Sequence, residues 1–206
     1  GLMANFEEKK VLIGNRKLMK DNLIDVLVGE DNVSTLEDEG KTAMMIAIDG
    51  ELVGIIAVAD QIKDTSKKAI EKLEKMGLEV YMITGDNERT ANAIAKQVGI
   101  KNVLADVLPE NKASKVEELK AESKNVGMVG DGINDAPALA TATVGISMGE
   151  GTDVALETAD VVLMKNYLPR IADTVRLSKR MNRIVRQNMV FSVAVILLLI
   201  ASNFLS

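Results

Sequence analysis

The chain has 206 residues, 47% of them apolar, which is ample for a buried core and rules out disorder as a whole. Five aromatic residues, no Trp and a net charge of −5 argue against a surface for single-stranded nucleic acid, which depends on aromatic platforms and basic grooves. With no Cys and no His, disulfides, thiolate or imidazole metal sites and every His- or Cys-centred mechanism are excluded. Catalysis is left to carboxylates, Lys, hydroxyls and a bound hard cation.

In chain order, residues 9–13 read as a short strand ending in Gly14-Asn15, and 16–19 as a helical turn. The next twenty-two residues, 20–41, are acidic and read as loop. Two apolar runs, TAMMIAI and ELVGIIAVA, meet at Asp49-Gly50, a dipeptide that supplies the positive φ angles of a tight hairpin. The period then changes. Asp64 is placed to cap a helix with Ala69, Ile70, Leu73 and Met76 on one face, and Gly77 stands where a left-handed C-terminal residue is wanted. A strand over 79–83 leads through Thr84-Gly85-Asp86 into a helix over 88–98 that Gly99 stops. The same unit recurs: strand NVLA, turn VLPEN and a helix over 111–122; strand 125–129, Gly130-Asp131-Gly132 and a helix over 134–140; strand 143–146, helix 152–157 and strand 161–164. Alternating short apolar strands and amphipathic helices predict an α/β domain with a doubly wound parallel sheet, whose ligands bind beyond the carboxyl ends of the strands.

The C-terminus differs. Residues 165–186 hold seven Lys/Arg against one Asp, whereas 1–164 hold 18 Lys/Arg against 29 Asp/Glu, and 188–206 carry no charge. The uncharged stretch would span about 28 Å as a helix, close to the ~30 Å hydrocarbon core of a bilayer. It reads as a membrane span, with the basic flank placing 1–187 on the cytoplasmic side. A buried C-terminal core helix is the alternative.

The chemistry sits at the strand ends. In MVGDGINDAPAL, Gly130 and Gly132 let the backbone turn sharply, and Asp131, Asn134 and Asp135 form an all-oxygen set suited to Mg²⁺. An Asx turn with a helix cap is the plainer alternative. At Thr84-Gly85-Asp86, a hydroxyl and free helix-start N–H groups suit a phosphate, though Asp86 as a simple cap fits equally. Lys112, after Pro109, opposes its helix dipole, which suits a cation held there to neutralise phosphate as well as an ordinary surface Lys. Together the three sites imply phosphoryl chemistry, but no activated nucleophile is evident.

TGDN at 84–87, PENK at 109–112, GDGINDAPAL at 130–139 and GTDVALETAD at 151–160 resemble the phosphorylation domain of a heavy-metal-transporting P-type ATPase. VLIGNRKLM at 11–19 resembles the end of that family's nucleotide-binding domain, and QNMVFSVAVI at 187–196 the start of its next-to-last transmembrane helix. The resemblance implies a haloacid-dehalogenase-like fold, with Mg²⁺ and ATP bound. Asp131 matches the Mg²⁺ carboxylate, and Asn134 and Asp135 its partners, Asp135 also as a metal ligand. Thr84 and Gly85 match phosphate contacts, Asp86 shapes their loop, and Lys112 matches the phosphoryl-binding Lys. Asp60, with Lys63, resembles a hinge motif. Gly14 and Asn15 match contacts to adenine nucleotide, and Gly1 the second Gly of a Gly-x-Gly pair.

On this resemblance the chain divides into a nucleotide-domain remnant (1–41), a phosphorylation domain (42–166), a basic linker helix (167–187) and a membrane segment (188–206). The family's Asp-Lys-Thr-Gly-Thr is absent, as are its actuator domain and membrane metal motif. The chain therefore resembles a C-terminal piece of a metal-cation pump, inactive by itself, whose upstream part belongs to the same polypeptide. Val195 and Ile196 stand where copper exporters carry Tyr-Asn, which leans toward cobalt, iron or zinc as the transported cation. Two alternatives are a membrane-anchored, non-catalytic Mg²⁺- and phosphate-binding protein and a soluble phosphatase of the same fold. The second needs an Asp-x-Asp triplet, which the sequence lacks.

Overall fold

A computed structural model describes residues 1–206 except 60, 124, 132, 150–152, 166 and 206. Asp60 of the expected hinge motif, Gly132, Gly151 and Thr152 therefore lie outside the described residues.

The N-terminal region is a four-stranded antiparallel sheet in the order β1-β2-β3-β4. Strands β1 (Leu2–Phe6) and β2 (Lys9–Gly14) form a hairpin that turns at Glu7 and Glu8, with φ of 47° and 65°. No Gly or Asn marks that turn, so β1 is invisible to turn chemistry. Strands β3 (Thr42–Ile48) and β4 (Glu51–Val58) turn at Asp49 and Gly50, φ 49° and 92°, as their sequence predicts. Because β3 pairs with β2, residues 42–58 complete the first sheet, and the boundary expected at 41/42 falls inside it.

Between β2 and β3 the chain is helical where a loop is expected. Helix α1 (Arg16–Asp21) is followed by a 3-10 turn (Leu27–Gly29) and by α2 (Glu30–Asp38). Helix α2 is a correction: its acidic sequence hides a face on which Val33 and Glu37 are buried. Leu12, Met19, Ile24, Val26, Val33, Ala43, Met45 and Ala47 close this core.

The rest is α/β with parallel pairing. Helix α3 (Asp64–Lys75) buries Ala69, Ile70 and Leu73 and ends at Gly77 with φ +80°. Asp64 does not cap it; the cap is Lys63, which makes no side-chain cap bond, and Asp64 lies in the first turn. Strand β5 (Tyr81–Ile83), helix α4 (Glu88–Val98) and strand β6 (Asn102–Leu104) follow, Gly99 ending α4 at φ +89°. A 3-10 turn (Pro109–Asn111) leads into α5 (Lys112–Ser123), then β7 (Gly127–Gly130), a 3-10 turn (Ile133–Asp135) and α6 (Ala136–Thr141). Strand β8 (Val144–Met148), α7 (Asp153–Thr158) and β9 (Val161–Leu163) complete the region.

Among the described residues the parallel strands of the doubly wound fold form two ribbons. Strands β5 and β6 make a two-stranded parallel ribbon, and β7-β8-β9 a separate three-stranded one. Among the described residues each of β5 and β7 is paired on one side only. The ribbons are linked by packing of the Pro109–Asn111 turn on the Ile133–Asp135 turn and of α5 on α6.

Helix α8 (Pro169–Leu205) runs unbroken for 37 residues, merging the expected linker and membrane segments. Ile171 and Ala172 join a core with Leu73, Ile146, Met148 and Leu163, and from Arg176 onward the described residues are exposed. Its apolar window, within Pro169–Ser202, has a mean hydropathy of 2.1 and none of it is buried, so a core helix is the wrong description.

The assignment of β3 to the first core is testable. Met45→Ala removes a side chain that is 1% exposed and is expected to cost about 2–5 kcal/mol. Hydrogen exchange should accelerate in β2 and α1 before it does in β7–β9; the opposite order would place Met45 in the wrong core.

Candidate functional site

The loop after β5 is fixed on all sides. Thr84 N–H donates to Leu104 O (3.0 Å) and Val107 N–H donates to Thr84 O (3.0 Å), continuing the β5–β6 ribbon into the loop. The Thr84 hydroxyl donates to Asp86 Oδ2 (2.8 Å) and accepts from Asp86 N–H (3.1 Å), while Asp106 N–H donates to Asp86 O (2.8 Å). Gly85 at the tip is exposed, with no side chain between its backbone and an approaching ligand.

Asp86 is not the helix cap. That role falls to Asn87, whose Oδ1 accepts from Thr90 N–H (3.0 Å). Asp86 is instead bound through Oδ1 by the Thr42 hydroxyl of β3 (3.2 Å). Three further bonds cross between the same halves. Asn87 Nδ2 donates to Glu37 Oε1 (3.0 Å), Arg89 pairs with Asp38 (3.3 Å), and the fully buried Thr90 hydroxyl donates to Lys41 O (3.0 Å). The loop over residues 84–87 is thus held by the end of the antiparallel unit.

Glu37 anchors this junction. Only 2% exposed, it accepts from both terminal nitrogens of Arg16 (2.6 and 2.9 Å) as well as from Asn87. Arg16 turns its other edge to Glu30 (2.7 Å). The guanidinium is held protonated, first by its bond to Glu37 and then by that to Glu30. In turn its hydrogen bond holds Glu30 below the ordinary carboxylate value of 4.5. Sequence reasoning missed Glu37, Thr42 and Thr90, because a Glu in an acidic run carries no sign of burial.

After β7 the geometry is close-packed. A Cβ on Gly130 would stand 2.6 Å from Cβ and 2.9 Å from Oδ2 of Asp135, so the carboxylate lies against bare backbone. Asp135 Oδ1 accepts from Lys112 Nζ at 2.7 Å, with the side chains 13% and 19% exposed. Lys112 opens α5, as expected, and the structure unites it with Asp135. Asp131 and Asn134 are exposed beside this pair. Among the described residues no three carboxylates converge, and a site of one or two carboxylates is what Mg²⁺ takes while it keeps waters or phosphate oxygens.

The remaining expected residues sit elsewhere. Gly14 is buried at the end of β2, where a Cβ would come within 3.1 Å of Gly1 Cα, so the two glycines are adjacent. Asn15 caps α1, its Oδ1 accepting from Leu18 N–H (3.1 Å). Asp160, last residue of the 151–160 motif, accepts from Gly145 N–H (2.8 Å) and ties the residue before β9 to β8.

The family model described as haloacid dehalogenase-like hydrolase matches residues 2–143. The chain belongs to that family. Within it, a copper-exporting P-type ATPase of Bacillus subtilis is 50% identical over 92% of this chain and 24% of its own length. One of Staphylococcus saprophyticus is 47% identical over the same shares. The structure of a zinc-transporting PIB-type ATPase in its E2.Pi state superposes with a TM-score of 0.67 and 36% identity over 91% of this chain and 30% of that one. The catalytic domain of a CPx-ATPase gives 0.58 and 26% over 84% and 60%. These likenesses bear out the family resemblance and the haloacid dehalogenase-like fold, and the chain spans about a quarter of its curated relatives. The curated relatives are named for copper and the first of these solved structures for zinc.

Two tests address the Glu37 junction. Glu37→Ala leaves the Arg16 charge without its buried partner and should cost about 3 kcal/mol, whereas Glu30→Ala, at a partly exposed pair, should cost under about 1 kcal/mol; equal losses in urea melts would refute the ranking. A carboxylate held low stabilises the fold above its unfolded pKa and loses that contribution as pH falls through its folded value. The urea midpoint should therefore drop as pH is lowered below 4.5, and drop less in Glu30→Gln.

Proposed function

We propose that this chain is part of an ATP-driven metal-cation transporter that works through an aspartyl-phosphate, and that it supplies the phosphate- and magnesium-holding loops. The observation that carries the reading is the Lys112–Asp135 pair at 2.7 Å, set against bare backbone at Gly130 where a parallel strand ends. In a soluble phosphatase of this fold the nucleophile would lie in an Asp-x-Asp triplet, which is absent.

On this reading Gly85 N–H and Thr84 are the contacts to phosphoryl oxygens, and Asp86 holds their loop through its bonds to Thr84 and Thr42. Lys112 offsets phosphoryl charge and orients Asp135. Asp131 and Asp135 are the groups that would hold Mg²⁺, with Asn134 beside them; when bound, the ion would offset repulsion between carboxylate and phosphate. Gly14 and Asn15 are assigned to the nucleotide side, in a unit that on this reading runs from 1 to about 58.

The acceptor Asp is assigned to an upstream strand of the longer polypeptide, inserted between β5 and β7. Support comes from their separate ribbons, each with one edge unpaired among the described residues. ATP, the transported metal cation, the bilayer and this upstream segment are the partners of the whole, with residues 1–187 cytoplasmic. The cation is selected by membrane residues, of which this chain holds only 188–206.

Two experiments test the reading. The isolated chain with radiolabelled ATP and Mg²⁺ should form no acid-stable phosphoprotein, and a label removed by hydroxylamine would overturn the assignment of the nucleophile. In the full-length polypeptide, Asp131→Asn should sharply lower phosphoenzyme per folded molecule and alter its Mg²⁺ dependence, while Glu118→Gln, on the exposed face of α5, should change neither. An unchanged Mg²⁺ titration in Asp131→Asn would show that residue to be a turn former only.

A further inference from the structure

Between the protein body and the uncharged part of α8 lies a short segment with a composition of its own. The last hydrogen bond of α8 to the body, among the described residues, is from Lys179 Nζ to Met76 O at the end of α3 (3.2 Å). From Gln187 onward no residue is charged. In the interval stand Arg180, Arg183 and Arg186, all exposed, with no Asp or Glu. Asp173, the sole carboxylate of α8, is engaged by Arg176 at 3.3 Å. The three later arginines make no ion pair among the described residues.

Spacing of three residues places them within about 120° of one face, each about 4.5 Å further along the axis. The ladder therefore covers about 9 Å. The headgroup layer of one leaflet is about 5–8 Å deep, so a helix that crosses the bilayer with 188–206 carries this ladder through it. Leu177, Met181, Ile184 and Val185 occupy the other side, also exposed. A guanidinium is a planar fork of donors that matches phosphate oxygens two at a time, unlike the point charge of a Lys.

Charge balance gives the ladder a task beyond orientation. The body, whose residues 1–164 hold 18 Lys/Arg against 29 Asp/Glu, makes its last bond to α8 at Lys179, one residue before the ladder enters the headgroup layer and so within the ~8 Å screening length at physiological salt. An anionic leaflet would repel that body unless cations stood between them.

We propose that Arg180, Arg183 and Arg186 form a binding ladder for the phosphates of anionic phospholipids in the cytoplasmic leaflet, so that the chain selects such lipids around α8. The inference rests on the membrane-span reading. Depth favours lipid over a protein partner, because the arginines sit where the apolar segment begins.

The test uses the whole chain in phosphatidylcholine vesicles containing trace spin-labelled phosphatidylglycerol or spin-labelled phosphatidylcholine. The motionally restricted fraction should show a preference of about fivefold for phosphatidylglycerol. Preference should fall to about unity in Arg180→Gln/Arg183→Gln/Arg186→Gln and in 1 M salt, and persist in Lys67→Gln/Lys68→Gln on α3. Carbonate extraction of each sample separates the premises. A chain released by carbonate overturns the span and the inference together. A chain that resists carbonate yet shows no preference, or whose preference survives the triple substitution, overturns the headgroup ladder and leaves the span standing.

Discussion

A carboxylate buried at the end of α2 has to be met by donors, and those that meet Glu37 come from both halves of the chain. Arg16 follows the last residue of β2 and reaches it with two nitrogens; Asn87, which caps α4, reaches it with its amide. The same Asn87 closes the phosphate-type loop onto its helix, so satisfying a buried charge and shaping a ligand loop are one act. Desolvating Glu37 is tolerable only with this full set of partners. The antiparallel unit therefore cannot shift at α2 without either stranding Glu37 or loosening the start of α4. Thr42, bonded to Asp86, and Thr90, bonded to Lys41 O, extend the same seam on either side.

What the sequence made legible were features written in local chemistry. Asp49-Gly50, Gly77 and Gly99 each adopt the positive φ that their turn or helix end demands, and the elements beside them fall where expected. Lys112 at the start of α5 was visible because a Lys there runs against the helix dipole. Features set by distant parts of the chain were hidden. The Glu7-Glu8 turn uses residues that rarely take positive φ, so β1 went unseen. Helix α2 was hidden by its acidity, and β3 went to the wrong unit because an antiparallel strand carries no mark of which strand it pairs with. Asp86 and Asn87 are neighbours that both favour caps, and the bonds from Thr84 and Thr42 draw the Asp86 carboxylate away.

The split of the parallel strands into two ribbons has a direct physical reading. A parallel sheet is stable when both faces are covered and its strands are paired. Here β5 and β7 each end in a loop suited to phosphate or cation, yet nothing among the described residues pairs with their second edges. What joins the ribbons is chemistry at the loops: the Pro109–Asn111 turn, Lys112 and the Asp135 carboxylate. On the proposed reading these side chains flank the reacting phosphate, and the strand that holds the acceptor belongs to the longer polypeptide.

Helix α8 links that site to the membrane segment through rigidity. After Pro169 its sequence contains neither Pro nor Gly, the usual causes of a sharp kink. Its first turn is locked into the core by Ile171 and Ala172, against α3 and the β7–β9 ribbon, and its far end is the uncharged stretch. The uncharged stretch and the ribbon that carries Gly130 are thus joined by one helix with no Pro or Gly at which to hinge. The arginine ladder stands at the fulcrum of that lever, at the depth where headgroups would resist its tilting, so lipid charge and the posture of the cytoplasmic body act on the same few turns of helix.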